Sequence, residues 1–303
     1  MNRSVYLDTH PGLIDKKIEQ LEEMLRDCSL CPRVCGVNRT KGEMGFCKTG
    51  DRPVLSSWGP HYGEESPLVG SGGSGTIFFT NCNLGCLFCQ NYTISHLGEG
   101  REVDNDTLSD VMVGLQGSGC HNINLVTPTH QIPMIMRALR TARRKGLEIP
   151  IVYNCGGYES VETLRILDGL IDIYMPDFKY SDPETAKKYS CAEDYPRVAR
   201  DAIREMHRQV GDLLINDYGI AERGLLVRHL VMPGDVAGTE GVVRFIAEEI
   251  SPETYINIMD QYHPCHMAFD HPPLDRRITE QEYRRAVDLA VKAGLRRIDG
   301  VNI

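Results

Sequence analysis

Apolar and polar positions keep two different rhythms on either side of residue 75. Before it, Ile14, Ile18, Leu21, Met24 and Leu25 recur at the spacing of one helix face, which predicts an amphipathic helix over residues 13–27. Residues 28–50 offer Gly, Arg and Lys with little apolar content, and a segment with so little core needs a metal to hold its shape. The stretch 58–75, with GPHYGEES and GSGGSG, reads as a loop that separates this appendage from the remainder of the chain. From Thr76 onward, short apolar runs alternate with amphipathic helical patterns. The runs over 76–80, 122–127, 149–154, 171–178, 225–232 and 255–262 predict strands. Helices are expected between them over 107–116, 134–146, 161–170, 196–214 and 240–250, with a last one over 279–294.

Strands apolar on both faces and joined by helical crossovers form parallel sheets. Right-handed crossovers taken in chain order curl such a sheet towards a barrel. Six units are too few to close one of eight strands. The expected fold is therefore α/β, a partial (β/α)6 TIM-like barrel over residues 67–303. Residues 1–66 form its small N-terminal cysteine-rich appendage, a helix and then a metal-binding segment with four cysteines.

Composition narrows the class of protein. The 303 residues carry 33 Lys+Arg against 42 Asp+Glu, a net charge of −9, which argues against coating nucleic acid. No apolar run approaches the ~18 residues of a spanning helix, so a membrane is not an expected partner. Met1 to Pro11 is polar and lacks the apolar centre of a signal peptide. Eleven cysteines are too few for a disulfide scaffold of this length, and their clustering reads as metal or iron–sulfur ligation in a cytoplasmic protein.

The cysteines fall into three sets. Cys28, Cys31, Cys35 and Cys47 offer the four ligands of a tetrahedral thiolate site, for which zinc, a mononuclear iron or a second iron–sulfur cluster are all chemically acceptable. Cys82, Cys86 and Cys89 form CNLGCLFC directly after the first strand. Three thiolates can hold three irons of a 4Fe–4S cube and leave the fourth open to a substrate, whereas four close every iron; three cysteines without a nearby His suit structural zinc poorly. The remaining four are single. Cys155 and Cys265 end strands and can face a pocket, while Cys120 is expected to pack in the structure.

Active groups of parallel β/α barrels gather at the C-terminal ends of the strands. Here those ends read Asn81–Cys82, Thr127–Pro128–Thr129–His130–Gln131, Asn154–Cys155–Gly156–Gly157, Pro176–Asp177–Phe178–Lys179, Arg228 to Gly234, and Asp260 to Pro264. Polar groups at every end of otherwise apolar strands are what a central pocket requires.

CNLGCLFCQN after the strand TIFFT, leading into a six-unit β/α series, resembles the radical S-adenosylmethionine (SAM) superfamily. Within it, CSLCPRVCGVNR from Cys28 to Arg39 is similar to the N-terminal segment of certain relatives of pyruvate formate-lyase activating enzyme. The resemblance implies that Cys82, Cys86 and Cys89 ligate a 4Fe–4S cluster whose open iron chelates SAM, and that Phe88 packs near adenine. Members usually carry Gly-Gly-Glu after the second strand. With Thr127–Pro128–Thr129 there instead, Thr127 or Thr129 is expected to accept from the SAM amino group. Asp177 and Lys179 match an Asp-x-Lys of the activating enzymes, with Lys179 facing the SAM carboxylate. Asn154 matches a position near the ribose or carboxylate, Arg228 and Leu230 a segment along the nucleoside, and His263 a position near adenine.

The implied chemistry is one-electron cleavage of SAM to methionine and a 5′-deoxyadenosyl radical that takes hydrogen from a substrate, fed by a flavodoxin- or ferredoxin-type electron donor. Three functions are open. The first is hydrogen abstraction from a protein or peptide, including glycyl-radical activation. The second is modification of a small metabolite. The third is a non-catalytic Fe–S electron carrier, against which the polar strand ends argue because a carrier needs no lined pocket.

Overall fold

The parallel run expected from Thr76 onward is present in the computed structural model, which describes residues 3–300. Two helices, α1 (Val5–Asp8) and α2 (Pro11–Glu23), lead through the cysteine-rich segment to strand β1 (Val54–His61) and the short helix α3 (Ser66–Val69). Next come β2 (Ser74–Phe79), α4 (Tyr92–Ser95), β3 (Arg101–Glu102), α5 (Asn105–Gly117), β4 (Ile123–Val126), α6 (Ile132–Arg144) and β5 (Ile151–Cys155). After them lie α7 (Val161–Leu167), β6 (Ile173–Pro176), α8 (Pro183–Ser190), α9 (Tyr195–Val210) and β7 (Leu214–Ile215). The chain continues through β8 (Ala221–Leu230), α10 (Thr239–Phe245), β9 (Tyr255–Met259), α11 (Glu280–Lys292) and β10 (Arg297–Ile298).

The sheet runs in the order β10-β9-β8-β6-β5-β4-β2-β1-β3, with β7 paired to β8 off this path. Every pair from β2 through β4, β5, β6, β8 and β9 to β10 is parallel. The strands advance in one direction without the reversal of a doubly wound sheet, so the crossovers wrap it as a barrel left open between β3 and β10. The sheet is built as the sequence pattern requires: β5 and β6 are buried at every position, so each must be covered on both faces. Asp104 and Asp182 start α5 and α8 by accepting from the backbone N–H of Thr107 and Thr185, and Thr279 with Glu282 closes a capping box on α11. Among the described residues no helix is long and apolar enough to cross a membrane.

Two apolar regions organise the interior. The larger joins Tyr6, Ile14, Ile18, Leu21, Leu25 and Leu30 from the N-terminal segment to the core of the barrel. The segment expected as an appendage therefore shares its core with the sheet and helices, with α2 lying on α6 and α7. The smaller region is Leu68 of α3 set among Val152, Ile173, Met175, Leu213, Ala221 and Leu226. Val152 and Ile173 lie at the N-terminal ends of β5 and β6, so α3 plugs the bottom of the barrel. Asn122 fixes the plug by donating to Leu68 O at 2.8 Å while accepting from Ser74 Oγ at 2.7 Å.

Residues 58–75 depart from the expected loop. They contain half of β1, antiparallel to β2, and the whole of α3. β3 covers only Val54 and Leu55 of β1, leaving the half with Gly59 and Pro60 a single neighbour, where a missing ladder donor is tolerated. The helix expected over 196–214 stops at Val210, because residues 214–215 turn back as a strand against β8.

Candidate active site

β2 delivers the chain to the top of the barrel, where Asn81 takes a left-handed turn (φ 71°) into the cysteine loop. Cys82, Cys86 and Cys89 line one cavity of about 590 Å³. Each sulfur has a donor: Leu84 N–H reaches Cys82 Sγ at 3.3 Å, Ser190 Oγ reaches Cys86 Sγ at 3.1 Å and Ser95 Oγ reaches Cys89 Sγ at 3.2 Å. Such donors favour thiolate over thiol. Burial pushes the Cys86 thiol up to about 12 and raises Cys82 as well, while the Lys179 ammonium opposes the rise at both. A ligated metal replaces the proton and removes that cost. Among the described residues no three His, Cys, Asp or Glu side chains meet the geometry of a single-ion site. A cluster that spreads three thiolates over three irons does not require one, so the donor set fits a 4Fe–4S group.

Across the cavity, Asp177 holds two cations. Its Oδ2 accepts from Lys179 Nζ at 2.6 Å and its Oδ1 from Arg228 Nε at 2.8 Å. Arg228 also donates to Asn154 Oδ1 at 2.7 Å. Burial raises the Asp177 carboxyl, but Arg228 and Lys179 together outweigh it and hold the group below the usual carboxylate range. β5, β6 and β8 are adjacent, which is why residues far apart in sequence meet here. Thr127, at the end of β4, lines the cavity in a left-handed conformation (φ 60°) and its N–H donates to Asn154 O at 2.8 Å. A non-glycine residue held there costs on the order of 1 kcal/mol.

The other expected residues divide. Phe88, Leu230 and His263 line the same cavity. Phe88 is buried against the rings of Tyr180 and Tyr262, and His263 lies 3.3 Å from Gln90 Nε2. Cys155 also lines it, whereas Thr129 and Cys265 are absent from its walls. Thr129 is buried and donates to Glu159 Oε1 at 2.7 Å; Tyr153 Oη donates to Glu159 Oε2 at 2.9 Å. Burial pushes the Glu159 carboxyl up to about 7, with Thr129, Tyr153 and Cys155 hydrogen bonds opposing it. Cys120 is buried in the apolar core.

Cys28, Cys31, Cys35 and Cys47 ring a second, small cavity of about 10 Å³, together with the buried side chains of Arg39 and His130. Arg39 Nη1 and His130 Nδ1 are buried there without partners. Arg33 ties this segment to the cysteine loop above. Its guanidinium donates to Asn83 O and Leu84 O, both at 3.0 Å, to Ser190 O at 3.1 Å and to Cys191 O at 2.6 Å, and it stacks over Phe46 at 3.9 Å.

Sequence reasoning missed the bottom of the large cavity. His61, Glu64 and Glu65 enter it from the β1–α3 connection, and Asn257 from β9. In the sequence the first three sit inside a Gly- and Ser-rich stretch that carries the signature of a linker. An acidic pair shortly before Leu68 was the available signal.

Residues 76–235 match the model of the radical SAM superfamily. The chain is 32% identical over 294 residues to the uncharacterized protein MJ0674 of Methanocaldococcus jannaschii, covering 94% of this chain and 80% of that protein. It is 23% identical over 298 residues to the uncharacterized protein MJ0808 of the same organism, covering 92% of this chain and 81% of that one. Among solved structures it is similar to the crystal structure of methylornithine synthase (PylB), with 12% identity, a TM-score of 0.45, and coverage of 72% of this chain and 68% of that chain.

Proposed function

This chain belongs to the radical SAM superfamily, and on that premise we propose that it abstracts hydrogen from a small substrate held inside its barrel. Membership implies a 4Fe–4S cluster, SAM, an external reductant and a substrate. When bound, the cluster and SAM supply reductive cleavage of the sulfonium to methionine and a 5′-deoxyadenosyl radical. One observation carries the reading: three donor-backed thiols and the Lys179–Asp177–Arg228 group share the walls of one cavity.

Each part of the chain then has a task. Cys82, Cys86 and Cys89 hold the cluster. Lys179 and Arg228, kept cationic by Asp177, receive the SAM carboxylate, and Asn154 and Thr127 offer polar contacts beside it. Phe88, Leu230 and His263 form the nucleoside wall and exclude water from the reacting centre. A flavodoxin- or ferredoxin-type protein delivers the electron. Cys28, Cys31, Cys35 and Cys47, which ring a small cavity without meeting single-ion geometry as they stand, would close on zinc, iron or a second cluster when it binds, and the buried Arg39 offsets the negative charge of the four thiolates.

Polar residues that the cluster and SAM do not use, His61, Glu64, Glu65 and Asn257, also line the cavity inside the barrel, which favours a metabolite. The likeness of CSLCPRVCGVNR to relatives of pyruvate formate-lyase activating enzyme favours a second reading, a protein or peptide substrate such as a glycyl-radical enzyme. Anaerobic reconstitution with iron and sulfide, then reduction with SAM present, tests the class: 5′-deoxyadenosine is expected, and its absence from cluster-loaded protein would refute the enzymatic reading. Cys86→Ala is expected to abolish both the cluster and that product; unchanged iron content would overturn the ligand assignment. Metal analysis of the Cys82/Cys86/Cys89→Ala triple variant reports what the N-terminal cysteines hold.

A further inference from the structure

The large cavity is polarised along the barrel axis. Its rim carries the cysteine loop and the strand ends, while its floor is the turn into α3, the helix that plugs the N-terminal end of the strands. Two consecutive carboxylates, Glu64 and Glu65, line that floor. Glu65 retains only 5% exposure, yet it is only partly satisfied: Oε1 accepts from Asn257 Nδ2 at 3.1 Å and Oε2 has no partner. Asn124, fully buried, stands close enough to Glu64 to favour its carboxylate, but neither end of its amide completes a well-formed hydrogen bond. A buried carboxylate oxygen with no donor costs several kcal/mol unless something fills its coordination.

Among the described residues no cation bonds that oxygen. Arg228 Nη1 stands 3.8 Å from Glu65 and 3.9 Å from Glu64, beyond hydrogen-bond reach, and its other nitrogens are engaged by Asp177 and Asn154. Lys179 is engaged by Asp177. His61 Nδ1 reaches only Glu64, at 3.4 Å. Around the whole cavity the carboxylates Glu64, Glu65, Asp177 and Asp299 outnumber the cations Lys179 and Arg228. If the SAM carboxylate is received by those cations, as proposed above, it would draw on the same positive charge, and the floor pair would keep only the shared, 3.8–3.9 Å ion pairing with Arg228. Burial raises the Glu64 carboxyl and the neighbouring Glu65 adds to the rise, against the pull of Arg228; a bound cation reverses that penalty.

Resting on the small-substrate reading above, we infer that Glu64 and Glu65 form a cation-binding floor that receives the protonated amine of an alkylammonium substrate. The amine end anchors at the bottom of the barrel and the carbon chain rises towards the rim, which orients the substrate with its carbon–hydrogen bonds nearest the SAM side.

Cluster-reconstituted, unreduced protein with saturating SAM provides the test. Binding of 1,4-diaminobutane and of its neutral isostere 1,4-butanediol is measured by calorimetry. A charge-assisted contact predicts roughly tenfold or greater preference for the diamine. The Glu64→Gln/Glu65→Gln double variant is expected to lose that preference while binding SAM as before; if it does not fold, Glu65→Gln alone carries the comparison. Equal binding of diamine and diol, or a preference that survives the substitutions, overturns the inference. Loss of SAM affinity in the variants also overturns it, because it assigns the glutamates to SAM. Each of these failures leaves 5′-deoxyadenosine formation intact in the parent protein, whereas failure of the enzymatic reading removes it.

Discussion

Asp177 is the residue on which the rim depends. It is the shared counter-ion of Lys179 and Arg228, all three are largely buried, and its removal leaves Lys179 without a carboxylate and Arg228 with only the more distant Glu64 and Glu65. Asp177→Asn keeps the shape and removes the charge. It is expected to lower stability by about 3 kcal/mol in denaturant titration and to weaken SAM binding at least tenfold. Glu159 makes a different prediction. Its folded-state carboxyl holds a proton up to about 7, while the unfolded chain releases it near the ordinary value of 4.5. Its contribution is thus fully present at low pH and is lost as pH rises through about 7. Glu159→Gln should remove up to about 1.4 kcal/mol per pH unit of negative slope from stability measured over that window. The cysteines, Lys179 and Arg228 were legible in the sequence because strand ends of a parallel barrel converge. Glu159 was not, because its role comes from burial beside Thr129, Tyr153 and Cys155, which no spacing announces.

At the scale of elements, the parallel strands were readable wherever both faces are apolar, as in β5 and β6. β1 and α3 were not. β1 alternates poorly and carries Gly59–Pro60, and the four residues of α3 are too short for any helical period to register. Yet α3 has structural weight beyond its length, since Leu68 is fully buried among the strand bases. Leu68→Ala is expected to cost about 3 kcal/mol in urea unfolding, as for other large-to-small core changes. Because Glu64 and Glu65 are the residues that lead into this helix, the same variant should weaken diamine binding without altering iron content.

The molecule as a whole works as a cup: a sheet that winds in one direction, a plug at the bottom and cysteine chemistry at the lip. The sequence divides at residue 66, but the packing does not, since α2 and Leu30 belong to the barrel's own core. Arg33 bridges the two cysteine segments. One guanidinium bonds carbonyls at Asn83 and Leu84 in the loop after β2 and at Ser190 and Cys191 at the end of α8. These bonds couple the two cysteine segments, which are therefore expected to open as one cooperative foldon. In hydrogen exchange, amides of residues 28–48 and 82–91 should open with a common free energy, and Arg33→Ala should split them into two.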